Sequence, residues 1–431
     1  MFRALLLSRR FAPLFWCQFL SAFNDNYVRN LLALLLLFRV GSEEAGSLIS
    51  LAVGLFMAPS LLLSGLGGEL ADAHDKAAIA RVLKGAEIFV QMIAAAGLAF
   101  ASLPLLFAAL FGLGAIAALF GPVKYGILPD LLAPQELTAG NALVEAATFL
   151  AILLGLISGG LAAAHAQAPA DIIVPTGIIV QLALIAIACF ATSLFIPKSG
   201  IGAPGLRVRR NILASTWSLL REVKRDARLW RAGLAVSWFW LTGAVALSLA
   251  PVAIRKATSG GIDVETAVSA LFALGIGAGS LLAALIARGR IFLVPVPYAA
   301  LGMGLFIIDL SVATRGLVPP TRDIGLASFA TSLSGCRIGL DILGLSIGGG
   351  LFVVPLFAAL QFLAPRARRA RVVGAVNILN ALFMVAGTLV TAVLQSRIVG
   401  LSESALLGAL GLFNLGAAAY LRRTQRQLAP L

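Results

Sequence analysis

The chain reads as an all-α integral membrane protein, with twelve transmembrane helices arranged as two six-helix bundles. Three observations predict this. The first is composition: of 431 residues, 60% are hydrophobic and 12% charged, where a soluble domain is about half apolar and a quarter charged. Mean hydropathy is +0.98. A protein core cannot hide that much apolar surface, so lipid must cover most of it. The second is run length. The apolar runs are continuous and reach the roughly 20 residues that cross a bilayer as a helix, and they do not alternate as barrel strands do. The third is the placement of Lys and Arg. With the N-terminus in the cytoplasm, 24 of the 33 basic residues fall on the inner side and 7 on the outer. That split supports an even number of spans and cytoplasmic termini. A soluble enzyme, a disordered protein and a nucleic-acid-binding module are all excluded by the same composition, even though the net charge is +14.

In chain order, spans are expected near 11–38, 45–66, 82–103, 105–128, 138–164 and 171–196. A polar stretch follows at 197–227. Further spans are expected near 229–254, 265–287, 291–313, 340–363, 372–395 and 403–421. This divides the chain into an N-terminal bundle (1–196), a cytoplasmic linker (197–227) and a C-terminal bundle (228–431). The first apolar run is too long for a cleavable signal, and no small-residue cleavage site follows it. In the linker, Trp217, Leu219 and Leu220 stand among basic residues. They suggest a short amphipathic helix on anionic lipid, with a plain solvated connector as the alternative.

The two halves repeat. Pro122 opens PVKYGILPDLLAP, and GNALVEAATFLAILLG follows from Gly140. Pro355 opens PLFAALQFLAP, and GAVNILNALFMVAGTL follows from Gly374. Six intervening helices keep the orientation, so the repeat is parallel, about an axis along the membrane normal. That is the arrangement of the major facilitator fold.

The first span carries QFLSAFNDNYVRN, from Gln18 to Asn30. A carboxylate at mid-bilayer costs roughly 2.5–3.5 kcal/mol on insertion scales, so such residues usually face a polar cavity or a partner. Asp25 and Arg29 are four apart, share a face and are expected to pair; Asn26 and Asn30 form a neighbouring stripe. A substrate or proton contact is the functional reading, and a self-neutralised pair that locks helix contacts is the alternative. Lys124, near the end of the fourth span, either snorkels to the interface or faces a cavity and meets a phosphate. Asn141 and Glu145 open the fifth helix on one side and are expected to join Asp25, Arg29 and Lys124; Glu145 as an ordinary helix-terminal charge is the alternative. Asn377 and Asn380 hold the similar place in the eleventh helix and carry no charge. Asp309 and Asp341 read as lone interfacial carboxylates. The small-residue runs at 155–160, 275–280 and 348–350 read as helix-packing sites. Two His and three Cys support neither a metal site nor a disulfide framework. His74 and His165 read as solvated loop residues, and Cys17, Cys189 and Cys336 as apolar packing residues. No nucleophile triad or phosphate loop is present, so no enzyme, cofactor or metal is expected.

The loop after the second span reads GELADAHDK, Gly68 to Lys76. Here the chain resembles the major facilitator superfamily, whose signature between helices two and three has a Gly, an Asp four residues on, and then basic residues. Gly68, Asp72 and Lys76 fit those positions; Ala73 and Asp75 depart from them. The resemblance implies a gating role for the three. Gly68 would allow close packing, and Asp72 would take charge-assisted contacts from a neighbouring helix end.

Three stretches together resemble a narrower group, the bacterial lysophospholipid transporter family: QFLSAFNDN at 18–26, Lys-Tyr-Gly-Ile-Leu at 124–128 with Gly-Asn-Ala-Leu-Val-Glu-Ala at 140–146, and GGGLFVVPLFAALQ at 348–361. The resemblance implies a flippase that moves lysophospholipids, notably lysophosphatidylethanolamine, across the bacterial inner membrane. It implies headgroup contacts at Asp25, Asn26 and Lys124, and a separate acyltransferase as a partner. The family's seventh-helix Arg, downstream of Phe-Trp as at Phe239-Trp240, is replaced here by Leu247, and Arg29 is the expected substitute charge. A monomer without nucleic-acid partners is expected. The rival reading is a proton-coupled exporter of drugs or other amphiphiles, with Asp25 or Glu145 titrating. A non-transporting membrane scaffold is a third, which gives no reason for a carboxylate in the bilayer.

Overall fold

A computed structural model describes residues 1–40, 42–165, 176–209, 211–315 and 324–428. Arg210, Arg322, residues 316–323 of the 314–339 insert and the start of the expected sixth span lie outside the described residues, as do the side chains of Arg39, His165 and Arg426. Twelve long helices run through the described residues: α1 (Ala12–Val40), α2 (Ser42–Ala73), α3 (Lys76–Ala99), α4 (Leu103–Leu131), α5 (Leu137–His165), α6 (Thr176–Leu194), α7 (Ala227–Thr258), α8 (Ile262–Ala287), α9 (Pro295–Arg315), α10 (Leu333–Leu363), α11 (Arg369–Gln395) and α12 (Glu403–Leu428). Eleven of them are long and apolar enough to cross a membrane. The exception is α1. It has the length, 29 residues, but its five polar residues from Asn24 to Asn30 lower its apolarity. All-helical architecture is what a bilayer requires of a chain whose backbone must satisfy its own hydrogen bonds. Proline is tolerated inside α2, α4, α7 and α10 (Pro59, Pro122, Pro129, Pro251, Pro355).

By contacts, the described chain forms two compact units. Unit 1 comprises 1–133, 150–226 and 364–378; unit 2 comprises 134–149, 227–363 and 379–431. Within unit 1, α2 packs on α4, α3 on α4 and α6, and α1 on α6. Within unit 2, α8 packs on α10, α9 on α10 and α12, and α7 on α12. Adding six to each helix of the first set gives the second set. The repeat legible at the Leu-Ala-Pro loops is therefore repeated in the packing. Each Leu-Ala-Pro ends its helix because proline lacks an N–H and pushes its predecessor toward extended backbone. A 3-10 turn then leads into the next helix, Pro134–Glu136 before α5 and Arg366–Arg368 before α11.

Glycines set the closest helix approaches. A Cβ on Gly350 would run into the backbone of Ile276 and Gly279, where α8 meets α10. On Gly155 it would lie 2.6 Å from the Phe23 carbonyl, and on Gly159 2.7 Å from the Tyr27 carbonyl, where α5 meets α1. The small-residue runs do pack helices. The linker holds an amphipathic helix, Ile212–Arg225. Ser215, Leu219 and Val223 are buried on one side, and Leu213 and Trp217 are exposed on the other. The 314–339 insert contributes a short helix, Leu326–Thr331, and α10 begins at Leu333, seven residues before the expected span.

Candidate functional site

In unit 1 the polar residues of α1 meet a stripe on α3. Lys84, Glu87 and Gln91 are spaced three and four apart and share one face. Asn24 donates to Glu87 Oε1 at 2.9 Å, and Gln91 donates to Asn24 Oδ1 at 2.6 Å. Lys84 Nζ donates to Ser21 Oγ and to Glu87 Oε2, both at 2.6 Å, and lies 4.2 Å from the Phe120 ring centre. Asn24, Lys84, Glu87 and Gln91 are all at most 2% exposed. This network corrects the sequence reading in one place: Lys84, counted there among the 24 inner-side basic residues, is a buried partner of Glu87. The spacing of Lys84, Glu87 and Gln91 could have revealed it, since a polar stripe with opposite charges in an apolar helix needs an inward face.

Asp25 makes no hydrogen bond to that network among the described residues, although its charges are near. It is half-buried and lies within electrostatic range of Glu87, Lys84, Arg29 and Lys124. Among the described residues its carboxylate forms no ion pair. The expected Asp25–Arg29 pair is not made, because Asn26 takes the guanidinium: Arg29 Nη2 donates to Asn26 Oδ1 at 2.5 Å, and the group lies 5.5 Å from the Phe56 ring centre. Asn26 is three residues away on the same face, so the shorter reach wins. Asn30 donates to the Leu156 carbonyl at 2.6 Å, tying α1 to α5. Lys124 is half-buried on α4, with Nζ 4.7 Å from the Tyr125 ring centre. Gly121, one turn earlier, makes room for Asn377, whose Nδ2 lies 2.7 Å from where a Cβ would stand. Asp25, Asn26, Arg29, Lys124 and Asn377 therefore all belong to unit 1.

Asn141, Glu145 and Asn380 belong to unit 2. Asn141 and Gln361 exchange two amide hydrogen bonds, at 2.7 and 2.9 Å, with neither residue exposed. This lock between α5 and α10 commits the Asn141 amide, and the sequence reading had not singled out Gln361. Glu145 is fully buried one turn further on. Asn380 accepts from Ser237 Oγ at 2.8 Å. Two other readings are corrected here. Asp309 is not lone: the Arg337 guanidinium donates to both its oxygens, at 3.0 and 2.5 Å, and Asp341 is buried beside it. Cys336 is exposed rather than packed, whereas Cys17 and Cys189 are buried.

A second charged assembly in unit 1 surrounds the α2–α3 loop. The Asp72 carboxylate accepts from the backbone N–H groups of Ala370 and Arg371, both at 3.0 Å, and from Arg371 Nε at 3.3 Å. It thus satisfies two of the unpaired donors that open α11, where a negative charge is favoured. Gly68 makes the approach possible; a Cβ there would stand 2.8 Å from the Ala370 carbonyl. Lys76 is 1% exposed and binds Asp130 Oδ2 at 3.0 Å, while Arg369 binds Asp130 Oδ1 at 3.0 Å. Arg371 reaches Glu222 of the linker helix at 3.5 Å, and Glu69 accepts from Ser215 Oγ at 2.6 Å. The loop, the linker helix and the start of α11 are thereby one ion-paired network.

Known proteins resemble this chain as follows. The family described as Major Facilitator Superfamily matches residues 14–388. Among curated relatives, the lysophospholipid transporter LplT of Yersinia pestis (strain Pestoides F) is 28% identical over 364 residues, covering 83% of this chain and 79% of its own. LplT of Yersinia pseudotuberculosis serotype O:3 (strain YPIII) matches with the same figures. Among solved structures, the human organic anion transporter MFSD10 (TETRAN) aligns with a TM-score of 0.74 at 17% identity, over 95% of this chain and 99% of that one. A bacterial homologue of the iron transporter ferroportin in an outward-facing state aligns with a TM-score of 0.67 at 16% identity, over 96% and 98%. These two likenesses are likenesses of fold.

Proposed function

The chain belongs to the major facilitator superfamily, and on that premise we propose that it transports lysophospholipids, flipping a lysophosphatidylethanolamine-like headgroup across the bacterial inner membrane by alternating access. Being a multi-pass membrane transporter follows from the family and the spans. The substrate reading is ours, and the observation that carries it is Asp25. It is a membrane-embedded carboxylate without an ion-pair partner among the described residues, within electrostatic range of the cations Arg29 and Lys124. Opposite charges held apart in an apolar surrounding suit a zwitterionic headgroup. The ammonium would meet Asp25, and the phosphate would meet Lys124 or Arg29. The acyl chain needs no polar partner and would stay on apolar helix faces or in lipid. The LplT relatives are named for the same class of substrate.

We assign Asn24, Lys84, Glu87 and Gln91 to positioning. Their hydrogen bonds fix the rotation of α1 and so the direction in which Asp25 and Arg29 face. We assign Gly68, Asp72 and Lys76 to gating, through the start of α11. The N- and C-termini are placed in the cytoplasm on the Lys and Arg distribution. A monomer that supplies a separate acyltransferase fits this reading.

The test is movement of fluorescent lysophosphatidylethanolamine in proteoliposomes, with and without a proton gradient. Wild type should move the lipid without a gradient, and Asp25→Ala should lose movement while folding normally. Normal movement in Asp25→Ala would remove the assignment. No lipid movement, with gradient-driven expulsion of hydrophobic cations, would make the protein a proton-coupled exporter.

A further inference from the structure

We propose that a groove between the start of α9 and the end of α12 is a binding site for an anionic glycerophospholipid of the surrounding bilayer, separate from any translocated substrate. The groove is open on one side and has a volume of about 450 Å³, in the roughly 300–1,000 Å³ range of small-molecule sites. Tyr298 and Leu301 of α9 form one wall, and Leu415 and Ala419 of α12 form the other. Tyr298 and Leu301 are 56% and 41% exposed. In a membrane protein such apolar exposure meets acyl chains. At the end of the groove, in the last turns of α12, stand Arg422 and Arg423, both exposed.

Three features select the ligand. First, neither guanidinium has a hydrogen-bond or ion-pair partner among the described residues, whereas Arg366, Arg368, Arg369 and Arg371 are each engaged. Two adjacent unpaired guanidiniums suit a phosphate, which accepts their forked donors. Second, no carboxylate lines the groove among the described residues, so a zwitterionic headgroup would find no partner there for its ammonium; a net-negative lipid needs none. Third, the apolar walls continue from the two cations, and they include Tyr298, whose amphipathic ring suits the boundary between headgroup and chain. A free phosphate would use the arginines and leave the walls empty. A phospholipid uses both.

The test is native mass spectrometry of the full-length protein released from detergent with added phosphatidylglycerol, with phosphatidylethanolamine and inorganic phosphate in parallel arms. Wild type should retain one phosphatidylglycerol tightly. In Arg422→Gln/Arg423→Gln the apparent affinity should fall by roughly tenfold to thirtyfold, since each basic side chain near an anionic headgroup contributes a several-fold factor. Ala419→Trp, which fills the groove and keeps both charges, should reduce retention comparably. Arg288→Gln/Arg290→Gln, a basic pair elsewhere, should leave it unchanged. Retention of phosphatidylglycerol unaffected by Ala419→Trp would overturn the site and leave only general charge attraction. So would equal retention of phosphatidylethanolamine, or displacement by inorganic phosphate alone. Phosphatidylglycerol binding does not require lysophospholipid transport, so failure of either reading leaves the other standing.

Discussion

A charged pair with no exposed surface is stable only while both members are present. Lys84 and Glu87 are each 0% exposed and bond at 2.6 Å. Removing one leaves an uncompensated charge in a low-dielectric interior, which typically costs about 3–5 kcal/mol. Replacing both by apolar groups of similar volume is often close to neutral. Glu87→Ala is therefore expected to lower the thermal unfolding temperature sharply, and Lys84→Met/Glu87→Leu to restore most of the loss. The double variant should still transport poorly, because Asn24 loses its acceptor on Glu87 and no longer fixes the rotation of α1. Measuring unfolding and lipid movement on the same preparations separates the two effects; full transport in the double variant would end the positioning role. Lys84 also shows how a residue is misread from sequence alone. It lies within eight residues of a loop, beside Arg81, and looks like a continuation of that loop. Packing of α3 on α4 and its hydrogen bonds to α1 turn the side chain inward.

At the scale of the element, the start of α11 is held by a carboxylate from another helix. Asp72 satisfies the Ala370 and Arg371 N–H groups, and Gly68 lets the backbones meet. Asp72→Ala leaves two helix-opening donors without their acceptor, so it should destabilise by about 1–3 kcal/mol. Asp72→Asn keeps one acceptor oxygen, loses the charge favoured at a helix N-terminus, and should fall between Ala and wild type. Unfolding temperatures in one detergent give the order; an Asn variant no better than Ala would mean that charge is the whole contribution. Gly68→Val has no room, because its Cβ alone would stand 2.8 Å from the Ala370 carbonyl. It should slow transport more than Gly54→Val, where nothing lies within 4 Å of a Cβ. Equal transport rates in the two would argue against a tight α2–α11 contact. The Gly-x-x-x-Asp spacing was legible in the sequence because it is local. Its partners lie some 300 residues away in the chain, at Ala370 and Arg371, and no local pattern names them.

At the scale of the molecule, the protein carries its own reporter of orientation. Cys336 is exposed at the start of α10, while Cys17 and Cys189 are buried. With cytoplasmic termini, the start of the tenth helix faces outward. A membrane-impermeant maleimide should label wild type in right-side-out vesicles, and Cys336→Ser should abolish the label. Labelling seen only in inside-out vesicles would invert the topology. The same scale shows the parallel repeat. The pairings α2–α4, α3–α6 and α1–α6 recur as α8–α10, α9–α12 and α7–α12. The chemistry does not repeat. Lys84 and Glu87 are buried in α3, whereas the ion pair of α9 and α10, Asp309 with Arg337, is about half exposed.

The sequence by itself determined the class of the protein. Apolar runs of bilayer length, the sided distribution of Lys and Arg, and the repeated Leu-Ala-Pro loops are all properties of neighbouring residues, and they act through lipid, which every span meets alike. Asp25, Arg29 and Lys124 stood out for the same reason: a charge in a long apolar run is visible without knowing what surrounds it. Tertiary structure alone decided the partners. Asn141 locks onto Gln361, and Asn24 bonds both Glu87 and Gln91. Where water is excluded, these polar groups take a donor or acceptor that helix packing brings within hydrogen-bond reach. Which one that is depends on helix rotation and on crossings between distant segments.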